Sequence, residues 1–192
     1  MNLPNKLTVL RIILTPVMVV LFYLGFYIPA AIVFVAAAFT DMLDGKIARK
    51  RNLVTTFGKF VDPLADKLIN LAAIMILSAC LDGWYEIFAV VTAVVIVSRE
   101  VIVTSLRALA ANEGVVIAAD KLGKLKTVIQ DVAIVAMFLD VAEVINKNSF
   151  ADALVHWSSV VLLAAALILT VVSGINYFTS NKEIMEKITK DI

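Results

Sequence analysis

Between Asp41 and Asp66 the chain places four carboxylates and two glycines at helical spacings. The stretch reads Asp41-x-x-Asp44-Gly45-x-x-Ala48-Arg49 and then, after eight residues, Gly58-x-x-x-Asp62-x-x-x-Asp66. Asp41, Asp44 and Ala48 are three and four residues apart, so one face of a helix carries them. Gly58, Asp62 and Asp66 step by four and share a face of the next helix. Two neighbouring helices can therefore aim four carboxylates at one point.

With neither His nor Cys among them, these side chains make an all-oxygen ligand set. Such a set suits hard cations such as Mg2+ or Mn2+ over zinc. Sites of this kind complete their coordination with phosphate oxygens, and two ions about 3.5–4 Å apart clamp an in-line displacement. Gly45 and Gly58 remove side chains where a ligand must approach the backbone closely. Arg49, one turn beyond Gly45, is within reach of a phosphate. Phosphoryl transfer is thus the better fit. An ion or proton transporter is the alternative, because carboxylates within membranes often serve transport. Against transport stand the short inner loops, the absence of broken helices in matching halves, and the basic residues beside the acids.

The elements that must position these groups are membrane helices. Of 192 residues, 61% are hydrophobic and only 17% charged, below the roughly 25% charge usual in soluble domains. A net charge of +1 names no partner, and nucleic acid is not expected. The single Cys80 excludes an internal disulfide. Apolar runs predict six spans: Leu7 to Tyr27, Ile28 to about Arg51, a third turning apolar from Leu68 to Leu81, Trp84 to about Ala111, Asp120 to about Val144, and Ala151 to Phe178. The first is expected to be a retained helix, not a signal peptide. Pro63 predicts a start or bend in the third helix. The expected fold is all-α: one bundle of six transmembrane helices, with a polar cavity open to the cytosol. Residues 1–192 form a single domain, with 1–6 and 179–192 as cytosolic surface segments.

Orientation follows from Lys and Arg in the short loops. With the N-terminus cytosolic, Lys6, Arg11, Lys46, Arg49, Lys59, Arg107, Lys124 and Lys182 are among those that fall inside, whereas the outer turns hold only Lys147. Trp84, Trp157, Tyr23 and Tyr27 then fall at the outer boundary. Asp41, Asp66, Arg99 and Lys126 share one layer, about two-thirds of the way through a roughly 30 Å core. Charges at that depth cost a few kcal/mol each, so they should face a watered interior.

The eight fixed residues from Asp41 to Asp66 match without departure the signature of the CDP-alcohol phosphatidyltransferases, which the chain resembles over nearly its whole length. That resemblance implies six membrane helices in the cell membrane, a homodimer, two divalent ions, and displacement of CMP from a CDP-linked lipid by an alcohol. It implies that Asp41, Asp44, Asp62 and Asp66 are metal ligands, with Asp66 also the general base. It implies that Gly45, Ala48, Arg49 and Gly58 bind the CDP group. The opening Pro4-Asn5-x-Leu7-Thr8-x-x-Arg11 is similar to the family's first helix and brings Asn5 and Thr8 to the nucleotide.

The acceptor is read elsewhere. Ser98-Arg99-Glu100 with Arg107, then Lys121-x-x-Lys124-x-Lys126-Thr127, resembles the branch whose donor is CDP-diacylglycerol and whose acceptor is glycerol 3-phosphate. Arg99, Arg107, Lys124 and Lys126 put cations beside the acids, as a small dianionic acceptor requires. A cardiolipin-forming member of the same family is the alternative. His156, Gln130 and Asp131 are expected to pack or to bond between helices, and Lys67 to pair with a motif carboxylate.

Overall fold

The computed structural model describes residues 3–50, 56–112, 117, 121–142 and 150–182; side chains at 3, 4, 41–50, 56–60, 62, 63, 112 and 121 lie outside the description. Six helices make up the described chain: α1 (Leu3–Tyr23), α2 (Tyr27–Lys50), α3 (Thr56–Ser78), α4 (Gly83–Asn112), α5 (Lys121–Val141) and α6 (Phe150–Ser180). The all-helical architecture is as expected. Each boundary falls where the apolar run meets Gly, Asp or a polar cluster.

α1 stops because Gly25 takes the left-handed conformation, φ +82. Phe26 N–H then bonds Leu21 O at 2.9 Å and Gly25 N–H bonds Phe22 O at 2.9 Å. This paired closure satisfies carbonyls the helix would otherwise leave bare. Pro29 follows in the first turn of α2, where a missing N–H costs no helical bond. α3 begins at Thr56 and runs through the proline, so Pro63 does not mark its start. A single lost backbone bond is tolerated where neighbouring helices surround the chain.

Among the described residues, three stretches are long and apolar enough to cross a membrane: Asn5–Tyr23, Gly83–Ala111 and Phe150–Ser180. α2 adds a shorter apolar stretch, Tyr27–Thr40. α5 falls short because Lys124, Lys126, Asp131 and Asp140 interrupt its apolar run.

Cross-helix contacts show that the helices alternate in direction. Late α1 meets early α2, where the Phe22 and Tyr27 rings lie 5.1 Å apart. Late α1 meets late α5, where the Phe22 and Phe138 rings lie 6.0 Å apart. Early α4 meets early α6, where Trp84 stacks on Trp157 at 6.3 Å. One end of the bundle is consequently apolar and closed, built on Phe22, Phe34, Ile74, Leu77, Tyr85 and Phe138. The other end gathers early α1, late α2, early α3, late α4, early α5 and late α6. Every residue singled out above for chemistry belongs to that end.

Candidate functional site

α2 and α3 pack against each other, so the two halves of the acidic motif lie on neighbouring helices. Asp41, Asp44, Gly45, Ala48 and Arg49 ride on α2, and Gly58, Asp62 and Asp66 on α3. Of these eight side-chain positions, only Asp66 is within the description. It lines a cavity of about 200 Å³ enclosed by α3, α4 and α5. Leu71, Ile74 and Ile96 form the apolar part of the wall, and Lys67, Glu100 and Lys126 join Asp66 in the polar part.

Glu100 is the hub of that polar wall. Its Oε1 accepts from Arg99 Nη1 at 2.9 Å and from Lys126 Nζ at 2.8 Å. Lys67 Nζ stands 3.8 Å from Oε2, donates to the Glu100 carbonyl at 3.1 Å, and donates again to the Thr104 hydroxyl. Three cations from three helices thus meet one carboxylate, and positive charge is left in excess beside Asp66. The Lys126 side chain is only 3% exposed. A cation so deep needs both a partner and a reason, since desolvation costs several kcal/mol per ion. Glu100 is thus a partner of Lys67 on another helix.

Arg99 does not line the cavity itself but reaches it through Glu100. Its shaft is held by missing side chains on two other helices: a Cβ at Gly174 would sit 3.5 Å from Arg99 Cγ, and one at Gly123 would sit 3.6 Å from Nη2. Arg107 turns toward α6, its guanidinium 5.5 Å from the centre of the Tyr177 ring, a cation–π contact. Lys124 is exposed. Of the four proposed acceptor cations, therefore, Lys126 is on the wall, Arg99 is one contact behind it, and Arg107 and Lys124 lie off it.

On α1, Asn5, Thr8 and Arg11 are all buried. Arg11, which the orientation count treats as one inner cation among many, is the largest fully buried side chain. It fastens α1 to α2 one turn before Asp41. At the closed end, His156 Nδ1 lies 3.1 Å from Asp140 Oδ2, and the Ser159 hydroxyl sits between Asp140 at 2.9 Å and Tyr85 at 2.7 Å. That cluster joins α4, α5 and α6 and is remote from the acids, so His156 packs as expected.

The donor chemistry fits a hard divalent ion, because the motif offers only carboxylate oxygens and one of its residues, Asp66, lines the cavity. Among the described residues no three His, Cys, Asp or Glu side chains gather as a metal-binding group; three of the four motif aspartates fall outside that description.

Sequence reasoning did not single out Glu100 as a hub or Lys67 as part of the wall. The signal available was the place of Lys67 directly after Asp66, too weak to name a partner on another helix.

Comparison with known proteins places the chain among relatives of one kind. The family model for CDP-alcohol phosphatidyltransferase matches residues 1–172. A Bacillus subtilis (strain 168) protein named CDP-diacylglycerol–glycerol-3-phosphate 3-phosphatidyltransferase is 39% identical over 201 aligned residues, covering 96% of this chain and 97% of the relative. A Rickettsia typhi protein of the same name is 39% identical over 185 residues, covering 94% of this chain and 97% of its own length.

Proposed function

The chain belongs to the CDP-alcohol phosphatidyltransferase family, and from that premise we propose that it moves the phosphatidyl group of CDP-diacylglycerol to the 1-hydroxyl of sn-glycerol 3-phosphate, releasing CMP. The product, phosphatidylglycerophosphate, places the enzyme in phospholipid biosynthesis. The observation that carries the reading is the shared wall of one cavity, where the motif's Asp66 stands with Lys67 and the deeply buried Lys126. A carboxylate able to take a proton beside cations able to hold a phosphate is what an acceptor with both groups requires.

In this reading Asp66 removes the proton from the acceptor's 1-hydroxyl, and that oxygen attacks the lipid-side phosphorus in line as the bond to CMP breaks. Arg99 and Lys126, with Arg107 and Lys124 toward the entrance, hold the acceptor phosphate and fix its direction. Asn5 and Thr8 on α1 and Gly45, Ala48, Arg49 and Gly58 on α2 and α3 receive the CDP group. Asp41, Asp44, Asp62 and Asp66 would hold two divalent ions, Mg2+ or Mn2+, which when bound neutralise the diphosphate and the charge on departing CMP.

All six helices cross the cell membrane in this reading, with the cavity open to the cytosol. The Lys and Arg bias toward one set of loops supports that orientation, and the family resemblance carries a homodimer with it. Acyl chains stay in lipid while both head groups enter the polar end.

The test is CMP release from CDP-diacylglycerol by the detergent-purified protein, with a panel of acceptors, with and without a chelator. Release with glycerol 3-phosphate that stops on chelation and returns with Mg2+ is expected. Release with phosphatidylglycerol instead would make it a cardiolipin-forming enzyme. Ion flux without any CMP release would make it a transporter.

A further inference from the structure

Three positive side chains and one negative one meet beside Asp66. Arg99 Nη1 and Lys126 Nζ both donate to Glu100 Oε1, at 2.9 and 2.8 Å, and Lys67 Nζ stands 3.8 Å from Oε2. Lys67 comes from α3, Arg99 and Glu100 from α4, and Lys126 from α5. Like charges gathered this closely repel, more strongly away from bulk water. The carboxylate at their centre is what lets them stay together. Three positive charges against one negative leave two in excess, and a phosphomonoester at neutral pH carries close to two negative charges.

The cations also need a fixed direction. A lysine ammonium is a point charge on a flexible stem, free to follow whichever anion is in reach. Lys67 and Lys126 line the cavity, and among the described residues its two carboxylates are Glu100 and Asp66. Bonds to α4 set the lysines' place. Lys67 Nζ donates to the Glu100 carbonyl at 3.1 Å and to the Thr104 hydroxyl, and Lys126 Nζ to the Glu100 carboxylate. Groups ordered before a ligand arrives lose less freedom when it binds.

We propose that Glu100 is a positioning residue that holds Lys126, Arg99 and Lys67 as one preformed seat for the acceptor phosphate. The inference rests on the acceptor proposed above and adds the group that presents its cations. Glu100 bears the wrong charge to bind a phosphate itself, so its effect on the acceptor travels through its three partners.

The experiment measures kcat and both KM values for full-length, detergent-purified Glu100→Gln, alone and combined with Lys126→Met, on glycerol 3-phosphate and CDP-diacylglycerol. Glutamine keeps the size and removes the charge that gathers the cations. Acceptor KM is expected to rise about tenfold or more, with the liponucleotide KM nearly unchanged. Adding Lys126→Met should raise acceptor KM by less than the product of the two single effects, because that lysine is already displaced. A KM does not depend on how much of the enzyme is folded. A merely structural role would therefore lower apparent kcat and leave both KM values at wild type, and that result overturns the inference. So do equal rises in both KM values, or effects of the two substitutions that multiply in full. Should Glu100→Gln fail to accumulate, Glu100→Asp keeps the charge but draws it back by one carbon. Acceptor KM alone should rise there too, and its constancy overturns the inference. Wild-type CMP release that needs no glycerol 3-phosphate would instead mark failure of the acceptor reading and would take this inference with it.

Discussion

Lys126 Nζ lies 2.8 Å from Glu100 Oε1, and this contact ties α5 to α4 across a cavity. Among the described residues the two helices have no close backbone approach of their own. The pair is therefore a strut as well as a charge balance. Removing one partner of a buried pair costs about 3–5 kcal/mol, because the other charge is left in low dielectric.

That cost gives the first expectation. Glu100→Gln should lower the thermal midpoint in detergent by about 10 °C, at ~2–4 °C per kcal/mol for a chain of this size, and Lys126→Met by less, because Glu100 keeps Arg99 and Lys67. The double variant should lose clearly less than the two single losses added, since contacting residues couple by about 0.5–3 kcal/mol. Strict additivity in that cycle would remove the strut.

Asp66 is the one motif carboxylate seen on the cavity wall, and its assigned proton transfer has a known scale. Asp66→Asn keeps the size and one oxygen but cannot take a proton at neutral pH. Turnover should fall about 10²–10⁴-fold, while binding of CDP, followed by calorimetry, persists. A near-normal rate in Asp66→Asn would overturn the base assignment.

The six helices were legible because apolar runs of near-membrane length are separated by Gly, Asp and Lys clusters, and the acidic motif was legible because its spacing is helical. The wall of the cavity was not. In a helix apolar on nearly every face, the pattern that points a soluble helix toward its core is absent. Rotation about the helix axis is then set by contacts between distant segments. So Arg11 read as one cation among many, although it is buried against α2. Gln130 read as a bond between helices, although its buried oxygen has no partner. Nor did the spacing show that the Arg107 guanidinium rests on Tyr177.

Burial ranks three of the four acceptor cations. A hydrogen bond to a charged group is worth about 1.5–3 kcal/mol, or roughly ten- to a hundredfold in affinity. Lys126→Met should therefore raise the KM for the acceptor by about tenfold or more and leave that for the liponucleotide nearly unchanged. Lys124→Ala, at an exposed position, should shift acceptor KM least, with Arg99→Ala in between. Equal changes in both KM values for Lys126→Met would dissolve the acceptor pocket as assigned.

Gly174 offers a way to disturb Arg99 without touching it. The residue is on α6, and the space where its side chain would lie is bounded by Arg99 Cγ, 3.5 Å from the position of an added Cβ. That is ordinary contact distance, so Gly174→Ala should be tolerated, with Tm and kinetics close to wild type. Leucine at the same position extends past the contact and must push the Arg99 shaft aside, which breaks its 2.9 Å bond to Glu100. Overpacking of this kind costs about 1–3 kcal/mol. Gly174→Leu should accordingly raise the acceptor KM in the manner of Arg99→Ala while the liponucleotide KM holds. Adding Arg99→Ala to Gly174→Leu should then change the acceptor KM little further, because the second substitution removes a side chain already displaced. Independent, additive effects of the two substitutions on acceptor KM would show that Gly174 acts on the site by some route other than Arg99.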